Sequence, residues 1–300
     1  MISVVVTGML AARSTASLAA PGATCHILDE SALAVTGHIS PLFAADRDAR
    51  DVGGARRVDG LEREGYVAFT FDDGPKHTTT PAVIRALLQY DVPATFFVVG
   101  HRLRGTSVNT EKNRATLREA IDAGFLIGNH TVNHRALADL RLERAADEIE
   151  ENARIVGDIL GYPPELFRPP YGSNNARVRR VLAARAVTEV LWSIDSKDYL
   201  PTDRKSLRKR VVADVVRRRG GVVLMHDTKA ATAHTIAEIL DDLEAENCRR
   251  LASSTPLILP VSLHYFLHEA DGTARPIPAA IAARTEAYRG ALPERCAART

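Results

Sequence analysis

The sequence predicts an α/β fold: a parallel sheet of about seven strands with helices packed outside it. Three features carry that expectation. From Tyr66 onward, strand-like and helix-like segments alternate about seven times. The strand segments are near-continuous apolar runs, as strands covered on both faces are. Five of them end on His, Asp or Arg, at the C-terminal edge where a parallel α/β domain gathers its chemistry. The alternation alone allows either a closed barrel or an open doubly wound sheet.

The elements follow in chain order. YVAFTF (66–71) alternates as a strand, and PAVIRALLQYD (81–91) reads as a helix with proline in its first turn, where a missing N–H is harmless. ATFFVV (94–99) is a buried strand, 111–123 a helix and FLIGN (125–129) a strand. Over 136–160, Leu142, Ala145, Ile149, Ala153, Val156 and Leu160 fall on one face of a long helix. LFR (166–168), a helix near 176–186 and the strand VTEVLWSI (187–194) come next. A basic helix over about 203–219, the strand GVVLM (221–225), a helix over 230–246 and PLILPV (256–261) as a last strand complete the series. Residues 1–63 read as a leader and a charge-dense linker, 64–250 as the domain, and 251–300 as a C-terminal extension packing on it or trailing from it. Beyond Ala270 the chain is rich in Ala, Arg and Pro and reads as loosely packed surface.

Bulk properties narrow the function classes. The chain is 45% hydrophobic and 25% charged with a net charge of +2, which offers no basis for nucleic-acid binding or a polybasic membrane surface. No segment reaches the length of a membrane span. MISVVVTGMLAA is an apolar run of signal-peptide size and Ala20 suits a cleavage site, but no basic residue precedes the run and Arg13 interrupts it. Export is the favoured reading and a cytoplasmic location the alternative. Cys25, Cys248 and Cys296 are too few and too scattered for a disulfide scaffold or a cysteine zinc site, although in an exported protein Cys248 and Cys296 could pair. No internal repeat and no Gly-rich phosphate loop of dinucleotide or P-loop spacing is present.

The strand ends carry the chemistry. Asp72 and Asp73 stand side by side before a Gly-Pro turn, and adjacent carboxylates repel. Either both point into water or a cation is held there. His130 and His134 are spaced four apart between a strand end and a helix start, as a metal-binding pair is. The other such pair, His264 and His268 in HYFLH, sits among aromatics without an acidic partner and reads as packing. A carboxylate with two imidazoles leaves coordination positions open, the layout of a catalytic site. Mixed N/O ligands suit zinc first, then cobalt or nickel, and the same set can hold ferrous iron. One aspartate can bind the metal while the other serves as general base. Arg168 is a partner for one carboxylate or a surface ion pair. His226 is a general acid or a hydrogen-bonded loop residue, and Asp198 orients it or caps the next helix.

Taken together, TFDDGP (70–75), HTVNH (130–134), RPPYG (168–172), DSKDY (195–199) and LMHD (224–227) resemble, in order and spacing, the five motifs of the polysaccharide deacetylase family, the NodB-homology domain of carbohydrate esterase family 4. The resemblance covers about residues 64–250. It implies a distorted (β/α) barrel and metal-dependent hydrolysis of N-acetyl groups on an amino-sugar polymer or oligomer, peptidoglycan or chitin-like, with release of acetate. By the same resemblance Asp72 matches the catalytic base, and Asp73, His130 and His134 the ligands of a divalent metal, zinc first. Arg168 matches the residue that orients the base, the Tyr171 N–H an oxyanion donor, His226 the acid and Asp198 the residue that tunes it. Leu224 matches the wall of the acetyl pocket, and Tyr199 stands where the family has Trp, which bears on substrate preference. A glycan is the expected partner and a monomer the expected state. O-deacetylation of acetylated xylan, a non-catalytic glycan-binding module and a ferrous oxygenase are the competing readings.

Overall fold

The computed structural model describes residues 52–61 and 63–299. The possible signal segment and Cys25 lie outside the described residues. Eight strands form one sheet: β1 (Tyr66–Asp72), β2 (Ala94–Val98), β3 (Leu126–Asn129), β4 (Leu166–Phe167), β5 (Thr188–Glu189), β6 (Ile194–Asp195), β7 (Gly221–His226) and β8 (Leu259–Pro260). Seven run in the order β5-β4-β3-β2-β1-β7-β6, with β8 beside β1, and every pairing is parallel. Helices α1 (Thr80–Gln89), α2 (Val108–Asp122), α3 (Leu142–Leu160), α4 (Ala176–Ala183), α5 (Arg204–Arg218), α6 (Ala230–Ala252) and α7 (Ala279–Ala297) surround it. The sheet curls into the distorted (β/α) barrel that the motifs imply.

The segment 187–194, expected as one strand, is broken in two. Its first half pairs with β4 and its second with β7, so the two ends of the sheet are halves of one segment. Between them Val190 N–H donates to Phe167 O and Leu191 N–H to Val58 O, while Val58 N–H donates to Glu189 O. The barrel is thus closed by a chain that changes partners midway. Val58 and Val52 are buried, so these two residues of the stretch read as a linker join the core. Two valines in a charge-dense stretch are too few to show a period.

Alternation along β1 and β7 sorts the core. Val67, Phe69, Phe71, Val223 and Met225 pack outward with α1 and α6. Ala68 and Val222 belong to a second apolar cluster that also takes in Phe97, Leu126, Leu166 and Leu259. The same cluster includes Val261, Leu263, Phe266, Ile281 and Leu292, so the C-terminal residues build one continuous core with the barrel floor. The tail expected to be loose is therefore a helix of 19 residues, α7. Its buried apolar side chains, Ile281, Tyr288 and Leu292, are so widely spaced among alanines that the helical period does not stand out. Cys248 and Cys296 form a disulfide joining α6 to α7, with Cα atoms 5.5 Å apart. Arg295 adds ion pairs to Glu244 and Asp91. His264 is buried with its Nδ1 2.8 Å from Ser262 Oγ, in keeping with packing. The long helix expected from residue 136 starts instead at Leu142, after a separate 3-10 turn at Leu137–Asp139.

One glycine is required by contact. A Cβ on Gly128 would lie 2.4 Å from the ring of Phe97, itself fully buried in the barrel. Gly128→Ala is expected to destabilise the protein by about 1–3 kcal/mol through overpacking. Urea unfolding checks this: the midpoint should fall while the slope of the transition is unchanged.

Candidate active site

The adjacent aspartates diverge at the end of β1. Asp72 continues the inward alternation of Ala68 and Thr70 and is buried. Asp73 turns into the left-handed region, φ 73°, and its carboxylate swings toward the β3 loop. Asp73 Oδ1 lies 3.6 Å from His130 Nε2 and 3.1 Å from His134 Nε2. Asp72 Oδ2 is 3.7 Å from His130 Nε2, and its Oδ1 accepts from Arg168 Nη1 at 2.8 Å. Each carboxylate therefore has its own cationic or nitrogen partner, which relieves the like-charge contact.

The HTVNH stretch is a loop rather than a helical turn. Thr131 and His134 both adopt left-handed backbone, φ 66° and 55°, and this folds the two imidazoles together with ring centroids 5.0 Å apart. Two buried asparagines hold the loop. Asn129 Oδ1 accepts from Thr131 N–H and from Asn152 Nδ2, and Asn152 also donates to Val98 O at 2.8 Å. Neither asparagine was singled out from the sequence. The available signal was Asn152, a polar residue on the apolar face between Ile149 and Val156.

His130 Nδ1 is 2.7 Å from Arg168 O, and a carbonyl only accepts, so Nδ1 carries the proton and the Nε2 lone pair faces Asp73. Burial pushes the His130 imidazole below its ordinary value despite the pull of Asp72 and Asp73, favouring the neutral ligand form. Burial opposes the ionisation of Asp73, but contact with His134 and the charges of His130, His134 and His226 hold it well below the carboxylate range. Among the described residues, buried Asp73 Oδ1 has no hydrogen-bond partner, its nearest nitrogen being His134 Nε2 at 3.1 Å. Among the described residues, Asp73, His130 and His134 are the one set of three donors that converge, within 4.8 Å of one another. The orphaned oxygen and the two inward-facing nitrogens fit a divalent cation. Arg102, which sequence reasoning missed, steadies the turn by donating from Nε to Asp73 O at 2.7 Å.

Arg168 is fully buried rather than a surface partner. Its Nη1 donates to Thr70 Oγ1 and Asp72 Oδ1, both at 2.8 Å, and its Nε and Nη2 donate to Val190 O and Leu191 O, both at 3.1 Å. Its guanidinium carbon sits 4.2 Å above the Phe97 ring. Trp192 is half-buried, packed against the core between Arg168 and the turn at Gly172.

On the adjacent strand, where His226 is the register partner of Asp72, His226 Nδ1 is 2.7 Å from Asp198 Oδ1, which leaves Nε2 as the other ring nitrogen. Asp198 Oδ2 accepts from His226 N–H and from Thr232 Oγ1. Asp198 is not the cap of α5, a place taken by Asp203. Burial works against the imidazolium, but Asp198, with Asp72 and Asp73 behind it, raises the His226 pKa to about 9. Leu224 is buried two residues before His226 on the same inward face. Tyr171, at φ 61° and largely exposed, reaches His134 Nδ1 with its hydroxyl at 3.2 Å. Tyr199 donates its hydroxyl to Asp195 Oδ2 and sets its ring edge-on to His226, centroids 5.6 Å apart. Asp72, Asp73, His130, His134, Arg168 and Tyr171 thus form one connected set, and His226, Asp198 and Tyr199 a second that meets it where His226 pairs in register with Asp72.

A family model described as polysaccharide deacetylase matches residues 60–190. A peptidoglycan-N-acetylglucosamine deacetylase of Bacillus cereus is 32% identical over 191 residues, covering 62% of this chain and 85% of the relative. The chain belongs to the polysaccharide deacetylase family. A family 4 carbohydrate esterase from Streptomyces lividans, solved in complex with acetate, superposes with a TM-score of 0.54 at 30% identity, covering 71% of this chain and 98% of that one. A peptidoglycan-N-acetylglucosamine deacetylase of Listeria monocytogenes is 30% identical over 180 residues, 60% of this chain. The match spans only 36% of that longer family member.

The His226–Asp198 pair gives a pH signature. A raised folded-state pKa contributes stability that is complete below about 6.5 and lost as pH rises through about 9. Asp198→Asn should lower the His226 titration midpoint, read by NMR of the imidazole. The stability gap between wild type and the variant should be widest in acid and close as pH rises past about 9.

Proposed function

We propose that this chain is a metal-dependent hydrolase that removes N-acetyl groups from an amino-sugar polymer or oligomer, peptidoglycan or chitin-like, and releases acetate. The observation that carries this reading is the pair of proton-transfer groups at the ends of two adjacent strands. Asp72 is buried beside the donor set, and His226, its register partner on β7, is held by Asp198. The Bacillus and Listeria relatives, both peptidoglycan-N-acetylglucosamine deacetylases, support the same substrate class.

Asp73, His130 and His134 would hold the cation, with zinc first and cobalt or nickel as alternatives. Bound there, a divalent metal supplies Lewis acidity toward the acetyl carbonyl and lowers the pKa of water. Asp72 is the general base, taking the proton of the attacking water. Arg168 fixes which Asp72 oxygen is engaged, leaving the other directed to the donor set. The Tyr171 backbone N–H, aimed by its left-handed conformation, is the donor for the developing oxyanion. His226 arrives protonated at neutral pH and gives its proton to the departing amine, a poor leaving group without it. Leu224 bounds the space for the acetyl methyl, and the exposed rings of Tyr171 and Tyr199 flank the mouth where sugar rings lie. A cell-wall or other exported glycan places the working site outside the cytoplasm, in line with the apolar N-terminal run.

Asp72→Asn should keep its metal content and lose turnover by about 10²-fold or more. His130→Ala should lose metal as well, and chelation of the wild type should abolish activity that zinc, cobalt or nickel restores. Acetate release from acetylated chito-oligomers, peptidoglycan and acetylated xylan, with metal analysis of the same samples, checks all three. Wild-type rates in Asp72→Asn would sink the base assignment, and faster release from xylan would move the substrate to O-acetyl groups.

A further inference from the structure

Asp227 follows His226 directly at the end of β7 and takes no part in the chemistry above. It is completely buried, an expensive place for a carboxyl group. Its Oδ2 accepts a hydrogen bond from Thr80 Oγ1, in the first turn of α1. Thr80 Oγ1 in turn accepts the backbone N–H of Lys76 at 2.8 Å. Among the described residues Asp227 Oδ1 has no hydrogen-bond partner, and it borders a small cavity lined by Gly74, Pro75, Thr80, Phe96 and Thr116. The carboxyl lies flat against Gly74. A Cβ added there would fall 2.1 Å from Oδ2 and 2.6 Å from Oδ1, and the three nearest atoms all belong to Asp227. Gly74 is the residue next to Asp73, and its carbonyl accepts Val99 N–H at the end of β2.

We propose that Asp227 is a positioning residue. Its carboxyl props Gly74 from beneath and is tied through Thr80 to Lys76, so it sets where the 72–76 turn sits relative to His130 and His134. Because Asp227 is also the neighbour of His226, one side chain registers the Asp72–Asp73 turn against the strand end that carries the acid. A packing residue of the same size would fill the space. Only an oxygen at this position also receives Thr80, and through it Lys76. The absence of a Cβ at residue 74 is the other half of the device, since it lets the carboxyl touch the main chain of the turn.

This inference rests on the metal-site reading. Its test is titration of Co(II) into the full chain after chelator treatment, followed by visible absorption, together with kcat and KM for acetate release. Asp227→Ala is expected to bind Co(II) roughly tenfold or more weakly, as loss of a group supporting metal ligands does. Its kcat should fall while KM stays nearly constant. Asp227→Asn keeps the oxygen facing Thr80 and should recover most of both. Gly74→Ala should weaken Co(II) binding by pressing on the carboxyl, and adding Asp227→Ala to it should cost little more, because the trimmed side chain makes room. If Asp227→Ala does not fold, Asp227→Asn and Gly74→Ala carry the test. Wild-type Co(II) affinity and kcat in Asp227→Ala, unchanged binding in Gly74→Ala, or losses that simply multiply in the double variant would overturn the proposal. If the wild type takes up no Co(II), or His130→Ala takes up as much, the metal-site reading falls first and this inference with it.

Discussion

The structure depends on one buried guanidinium. Arg168 sits inside a barrel whose closing segment changes partners at residues 190–193, and that change leaves carbonyls turned into the core. An unpaired carbonyl there would cost on the order of 1–3 kcal/mol. Arg168 satisfies two of them and spends its remaining donors on Thr70 and Asp72. The charge is matched by Asp72 and by the face of Phe97, which can lie there only because Gly128 has no side chain. Fold closure and site assembly are therefore the same interaction. A truncated Arg168 would leave a buried carboxylate and two carbonyls without partners, the costly way to break a buried pair.

Around this centre the site separates charge by geometry. Asp72 and Asp73 are neighbours in sequence but serve different partners because the backbone reverses hand between them. His130 is fixed in one tautomer by Arg168 O, and His226 in one orientation by Asp198 and its backbone. The two histidines consequently differ: burial lowers the pKa of the first, and Asp198 raises that of the second. One residue type fills two roles because the two environments oppose each other.

Much of this was legible in the sequence. Alternation and apolar strand runs predict the parallel sheet, and polar residues at strand ends predict which side chains meet. The polar support was not legible. Asn129, Asn152, Thr232 and Arg102 act through hydrogen bonds most of whose partners lie far off in sequence, as in the 54 residues between Asn152 and Val98. No local period marks such residues. The closing strand misled for a related reason: VTEVLWSI has strong strand character throughout, and only the tertiary need to join two sheet edges divides it. The helix α7 was hidden by its composition, since alanine contributes helix propensity without an apolar stripe.

The left-handed residues around the site carry a further consequence. Asp73, Thr131, His134 and Tyr171 all hold φ between 55° and 73°, a region that L-residues enter at a cost of order 1 kcal/mol each. For Thr131, branched at Cβ, the cost is greatest. The protein thus concentrates conformational debt in a few loops that no helix or strand could replace, while the disulfide and α7 add stability at the opposite end of the barrel. Selection for heat resistance would find glycine attractive at 131 and 171, where it releases the strain. The same exchange would loosen the loop that presents His130 and the N–H proposed to meet the oxyanion. At these positions durability and catalytic aim draw on one reserve, so improvement in one is expected to erode the other.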